Sequence, residues 1–506
     1  LRINRLFSNF RHQVFWPPFL LLLAALVYSL ADAEGFLETT SRINDLIISR
    51  FGWLFSLTTG LMLVCCLVIC FHPLGKHKIG GEHAEPFLSK WRWFSIVLCT
   101  TIATGIIFWG TAEPLFHFSS PPAFSETPAL SEKAAQEALS YMYLHWTFTP
   151  YAIYCIPALM FAIAFYNRKR SFSLESTLFP WQKATPKGKL GVLIDGICLY
   201  ALVAGMAASL GAGILTLSGG IHNLTGYQSP WLLLFIALLI VGCFTLSAIS
   251  GLMKGIRVLS DINARIFLIL ALFLLFFGPT KSILSQWGQA LVIYFKSLPE
   301  MTVVSVLYPN DDWPKSWTTF NWANWMAWAP ITALFLGRLA KGYTIRQFML
   351  FNWVLPSLFG MLWMSIFSGI ALHFQLSKKA DLLGLLTSLG PESVIYGIFD
   401  ALPWSDLLAL IFLFTAFLSY VTAADSNTEA MGGISSTGIS PQAPSAPVFI
   451  KIVWGTTIGL VAYIMVSMAG IEGIKMLSNL GGLPALFLLL AITLGCIFWL
   501  LKHKKK

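Results

Sequence analysis

Charge is what this sequence has least of. Asp, Glu, Lys and Arg make up 11% of its 506 residues, against about a quarter in soluble domains. That excludes a water-soluble globular protein of this length. Acid is scarcer than base, with 23 Asp and Glu against 33 Lys and Arg. The basic residues are scattered over short connections, so no nucleic-acid partner is expected. Cysteine is present without pattern. Cys65, Cys66, Cys70, Cys99, Cys155, Cys198, Cys243 and Cys496 all fall in apolar stretches, lack metal-ligand spacing and read as small buried hydrophobes. The histidines are dispersed, so neither a metal site nor a cofactor is expected. Paired histidines and a nucleophile with its base are missing too, so the chain is not expected to be an enzyme. No ring of charges or carbonyls marks a channel. No connection is long enough for a soluble regulatory domain, and only Lys502–Lys506 follow the last apolar stretch.

What the chain does have is long apolar runs, in a composition that is 56% hydrophobic. About 20 apolar residues span a bilayer. Twelve such segments are expected at 14–33, 52–72, 93–112, 138–166, 190–218, 231–250, 262–280, 317–337, 348–373, 404–424, 448–470 and 480–501. The first has the core of a signal peptide, but it runs long and no clear small-residue cleavage site follows. It reads as a retained helix. The division expected is 1–92 with two accessory helices, 93–280, a connection at 281–316, and 317–506. That connection contains KSILSQWGQALVIYFKSLP, which reads as an amphipathic helix on the membrane surface.

Basic residues set the orientation. Grouping the termini with the even-numbered connections places 24 of the 33 Lys and Arg on one side, densest at Arg168, Lys169, Arg170, Lys183, Lys187 and Lys189. Positive residues stay cytoplasmic, so both termini are expected inside.

Two segments carry helix-weakening residues. The third, CTTIATGIIFWGTAEPLFHF, holds Gly105 and Gly110, with Pro114 expected at its end. The eighth, SWTTFNWANWMAWAPITALFLGRLAKG, holds Pro330 in its interior. Proline frees a backbone carbonyl, which at membrane depth is tolerated only against protein or a water-filled cavity. These segments lie five apart, the position expected of broken helices in an inverted-repeat transporter.

The eighth segment also carries Trp317, Trp322, Trp325 and Trp328. At these spacings several indoles share one side of a helix, and an indole face is the best side-chain partner for a desolvated organic cation. Interfacial anchoring is the plainer alternative. Glu113, Asp195, Asp261, Arg265 and Asp425 are the ionisable residues nearest membrane depth. All are expected near segment ends, within reach of water, with structural or gating roles.

Motifs in chain order give the sequence a family resemblance. They are FWGTAEP at 108–114, HWTFTPYAIY at 145–154, ASLGAG at 208–213 and KGIRVLSDIN at 254–263. The Trp-rich segment follows, then FLGRLAKGYTIRQF at 335–348 and TAADS at 422–426. The chain resembles the betaine/choline/carnitine transporters over almost all twelve segments. That resemblance implies an all-α integral membrane protein with a LeuT-like core of two inverted five-helix repeats, segments 3–7 and 8–12. It implies a homotrimer in the bacterial inner membrane that moves trimethylammonium-type solutes such as glycine betaine, choline or carnitine. It also implies a substrate box of Trp146, Tyr151, Tyr154 and Trp325, with Trp328 close by. Tyr151 stands where many members have Trp. Asn324 stands where the family generally has Trp, and its amide could bond a solute oxygen or enlarge the box.

The resemblance bears on energy coupling as well. Sodium wants oxygen ligands. The family's Thr-Ser pair on the tenth segment reads Thr422-Ala423, keeping one hydroxyl, and Asn263 matches an asparagine of sodium-coupled members. The hydroxyls of a second sodium site are replaced by Leu202 and Met206. Thr332 is a further oxygen candidate. Thr101, Ala103 and Gly105 replace the glycine-rich pattern of the third segment. The expectation is uptake coupled to one Na+ or H+; sodium-independent exchange of the carnitine/butyrobetaine type is the alternative.

Overall fold

An α-helix of 20 residues rises about 30 Å, enough to cross the apolar layer of a bilayer. Long apolar helices dominate the computed structural model of the chain, which describes residues 10–101, 103–181, 189–250, 252–437 and 447–503; the side chains of 103, 104 and 248–257 are outside the description. The helices are α1 (His12–Ala31), α2 (Ala33–Phe71), α3 (Lys90–Thr101), α4 (Ala103–Ser119), α5 (Glu132–Trp146), α6 (Phe148–Ala162) and α7 (Lys189–Thr225). They continue with α8 (Pro230–Ser250), α9 (Leu252–Phe277), α10 (Thr280–Thr302), α11 (Phe320–Leu339), α12 (Leu355–Leu376), α13 (Ser405–Ile434) and α14 (Val448–His503). Short helical turns fill most connections. No β-strand forms among the described residues.

Nine helices among the described residues are long and apolar enough to cross a membrane, or ten if α3 and α4, inclined at 54°, are one broken span. Two features bear on that number. Helix α14 is 56 residues long and bends at Gly470, whose φ of 51° and ψ of −128° are non-helical; only glycine takes such a conformation without strain. Helix α11 is 20 residues long and almost wholly buried. The most apolar stretch of Glu132–Asn167 is 94% buried, against 22% for Pro230–Ser247. The α5–α6 pair therefore occupies the centre of the bundle, and α8 lies at its rim. Helix α14 reaches α11 closely because Gly482 has no side chain; a Cβ there would stand 2.7 Å from the Ala323 Cα.

Several boundaries differ from the sequence reading. Helix α2 starts at Ala33 rather than near 52, capped by Asp32, whose side chain accepts the Gly35 N–H. Pro114 does not end its helix: α4 runs through it to Ser119. The stretch expected as one helix over 138–166 breaks at Thr147, where φ is −124° and ψ is −123°. Two threonines and Pro150 crowd that point, and both residue types weaken a helix interior. Helix α13 continues to Ile434, ten residues past the expected end.

The longer helices also overturn the expectation that the ionisable residues lie in reach of water. Glu113, Asp195 and Asp425 are all buried; only Asp261 and Arg265, paired at 2.9 Å, are open to the surface. Of the basic cluster, Lys183 and Lys187 lie outside the described residues, as do Lys504–Lys506 of the tail. The 281–316 connection does form a helix, α10, which buries Ile283, Ala290, Tyr294 and Met301 and exposes Leu284, Val292 and Phe295.

Burial is tolerated where partners are supplied. The Asp195 carboxylate accepts from Arg11 Nη1 at 2.8 Å, from Ser173 Oγ and from the Leu174 N–H. Arg11 also donates to the Ile434 carbonyl, so one guanidinium ties α1, α7 and the end of α13. Removing one partner of a buried pair is costly, discounted here because Arg11 is 24% exposed. Arg11→Ala is expected to lower the unfolding free energy by about 2 kcal/mol, seen as a lower Tm in detergent. Asp195→Asn is expected to cost less, since an amide needs no counter-charge.

Candidate functional site

The break at Thr147 sets the site. It ends α5 on Trp146 and restarts the chain as α6 with Tyr151 and Tyr154 facing α11. All three rings meet Trp325. Ring centroids lie 5.7 Å apart for Trp146–Trp325, 5.6 Å for Tyr151–Trp325 and 5.0 Å for Tyr154–Trp325, within aromatic contact distance. All four side chains are buried.

Beside this cluster is a small cavity of about 30 Å³. Trp146, Tyr154, Asn324, Trp325 and Trp328 line it, and Thr101, Gly105, Trp109, Ser209 and Phe320 are among their neighbours. No charged residue is in the lining among the described residues. Tyr151 stands behind Trp325, its hydroxyl 3.2 Å from Thr101 Oγ1. Five of the six box residues named from sequence therefore share one cavity, and the sixth supports it. Asn324 is hydrogen-bonded at its side chain to Ser478 Oγ at 3.0 Å. The Trp325 indole N–H is buried with no acceptor among the described groups.

Gly105 makes room for the cluster. A Cβ at that position would lie 2.2 Å from Trp146 Cζ3 and 2.6 Å from Cη2. The benzo edge of Trp146 thus rests against bare backbone of α4. Its other edge is also held, since Nε1 donates to Glu113 Oε2 at 2.8 Å. The second carboxylate oxygen faces His145 Nδ1 at 2.6 Å and His117 Nε2 at 3.2 Å. His145 Nε2 in turn lies 3.1 Å from Thr318 Oγ1.

The glutamate and the two histidines bring their ligand-capable atoms within 4.8 Å of one another. A metal about 2.0–2.2 Å from each would hold those atoms roughly 3 Å or more apart. The 2.6 Å contact is instead the length of a charge-assisted hydrogen bond, and the group is read as a hydrogen-bonded cluster. Sequence reasoning named Glu113 without this role and passed over both histidines. Their spacing, Glu113 to His117 at i,i+4 and His145 beside Trp146, was the available signal.

The described side chains named for cation coupling meet α13 at different heights rather than gathering at one point. Asn263 Nδ2 donates to Ser419 Oγ at 2.8 Å, while its Oδ1 is buried without a partner. Thr422 lies one turn on, its hydroxyl against the Leu418 and Ser419 carbonyls. Thr332 donates to Asn427 Oδ1, eight residues or about 12 Å along the helix from Ser419. The Ala103 side chain lies outside the described residues. Leu202 and Met206 are buried.

Comparison with known proteins bears on this aromatic cavity. The family model described as "betaine/carnitine/choline family transporter" matches residues 13–505. The glycine betaine transporter OpuD of Bacillus subtilis is 30% identical over 98% of this chain and 95% of its own length. The ectoine/hydroxyectoine transporter of Virgibacillus pantothenticus is 27% identical over 99% of this chain and 98% of its own. The osmo-dependent choline transporter BetT2 of Acinetobacter baylyi is 28% identical over 90% of this chain and 66% of its own. Each is named as a transporter, and none as an enzyme. With a match over nearly the whole chain, this protein belongs to the betaine/carnitine/choline family of transporters.

Proposed function

We propose that the chain is a secondary active transporter that takes up a trimethylammonium-type solute by alternating access, driven by one coupled cation. The observation that carries this reading is the ring of Trp146, Tyr151 and Tyr154 around Trp325. A desolvated cation–π contact contributes about 2 kcal/mol or more, and binding at millimolar to micromolar levels needs roughly 4–8 kcal/mol. Three or four rings suffice. The solute is a zwitterion such as glycine betaine in preference to choline. The orphan Trp325 N–H and the Asn324 amide suit the carboxylate that a zwitterion carries and choline lacks.

The same reading extends to the architecture. Counting α3 with α4 as one broken span, α11 as a span, and α14 as two spans divided at Gly470 gives twelve. The broken α3–α4 and the Trp-rich α11 open two five-helix repeats. Both termini are cytoplasmic, from the distribution of Lys and Arg, and the apolar outer face of α10 serves a trimer contact. Coupling runs through Asn263, whose buried and unpartnered Oδ1 is the kind of hard oxygen that sodium takes, with Thr422 one turn from its partner Ser419.

Three variants test this proposal. Trp325→Leu removes the ring on which the other three converge. It is expected to raise the half-saturation for radiolabelled glycine betaine by about tenfold or more, and normal uptake kinetics would contradict the box. Gly105→Ala drives a methyl into Trp146. It is expected to weaken binding at least as much with no change in the solute-facing chemistry, as read by tryptophan fluorescence titration. Asn263→Leu should raise the sodium concentration needed for half-maximal uptake by about tenfold. Unchanged sodium dependence would remove Asn263 from the coupling site.

A further inference from the structure

Glu113 does not line the cavity, yet it is one hydrogen bond from its wall. Its Oε2 accepts the Trp146 indole N–H at 2.8 Å. Its Oε1 faces His145, His117 and, more distantly, Asn321 Nδ2 at 3.5 Å. An indole N–H and an amide NH2 can only donate. Both oxygens therefore act as acceptors, as those of an ionised carboxylate do. Glu113, His117, His145 and Asn321 are all buried at 0–1% exposure, so the charge is screened weakly.

We propose that Glu113 is the remote counter-charge for the solute's ammonium group, acting through the indole of Trp146. This rests on the transport reading above and adds an electrostatic source to a lining that has none of its own. An N–H donated to a carboxylate pushes electron density into the ring and deepens the negative face that a cation meets. The geometry protects the linkage at both ends. Gly105 seats the far edge of the ring, while His145, braced by Thr318, holds the carboxylate. Glu113 does not touch the solute, so it is a positioning and polarising residue, and the histidines position it in turn.

A merely structural role would move a different observable. Glycine betaine and 3,3-dimethylbutanoate have the same shape, but the second has carbon in place of the cationic nitrogen. The test measures the affinity of the purified protein for each, by competition with radiolabelled betaine, in wild type, Glu113→Gln, Glu113→Asp and Trp146→Phe. Glu113→Gln is expected to cut the preference for betaine over the isostere by roughly tenfold, with Glu113→Asp restoring part of it. Trp146→Phe keeps a π-face but loses the N–H. It should lose the preference to a similar extent, and Glu113→Gln added to it should lose no more. Equal weakening of both ligands in Glu113→Gln would make Glu113 a purely structural support and overturn the proposal. Should Glu113→Gln fail to fold, an unchanged preference in Trp146→Phe overturns it just as well. If wild-type protein binds no betaine, the transport reading fails first, and that result is distinguishable from either.

Discussion

A tryptophan can lie against a helix backbone only where that helix offers no side chain. Trp146 does so at Gly105, with the atoms of its six-membered ring where a Cβ would otherwise stand. Much of the cavity depends on this contact. It fixes one wall, sets the angle at which Trp146 meets Trp325, and leaves the indole N–H facing Glu113. The non-helical backbone at Thr147 is the second requirement, because an unbroken helix would carry Tyr151 and Tyr154 past Trp325 on the continuing spiral.

Around that contact the chain separates two kinds of chemistry. The cavity wall is aromatic, small or amidic and carries no charge. The buried ionisable groups stand outside that wall, each with partners: Glu113 directly behind it with two histidines and an indole, Asp195 with Arg11, and Glu429 with Lys451. In a low-dielectric interior this keeps the desolvation cost of charge away from the solute while leaving its field within reach. The rings rest in mutual contact at 5.0–5.7 Å. A trimethylammonium group that is to touch several faces must part these rings, which are carried by α5, α6 and α11.

The sequence made much of this legible. The membrane class follows from charge content, and the Trp-rich α11 with its neighbours Trp146, Tyr154 and Asn324 could be named before any helix was placed. What could not be read were consequences of three-dimensional approach. Thr147 looks like one more residue in an apolar run, and its break depends on crowding by Pro150 and on Tyr294 of α10, whose hydroxyl lies 3.3 Å from Thr147 Oγ1. Pro114 is an expected terminator that is accommodated inside α4. Asp425 looked terminal because apolar residues give way to polar ones there, yet α13 continues with its polar face turned inward. Glu113 and His145 are 32 residues apart, and no spacing rule joins them. The oxygen candidates Asn263 and Thr332 reach α13 at separate levels, Ser419 and Asn427, because alignment gives a residue type and not its height along a neighbouring helix.

The central claim is that the aromatic cavity carries a methylated ammonium solute across the membrane against its gradient. The direct measurement is accumulation of radiolabelled glycine betaine in proteoliposomes of the purified protein, with and without an inward sodium gradient. The account predicts accumulation above the external concentration that requires the gradient and collapses when sodium is equilibrated across the membrane. Equilibration without accumulation, or uptake that ignores sodium and proceeds only against unlabelled solute inside, would contradict it.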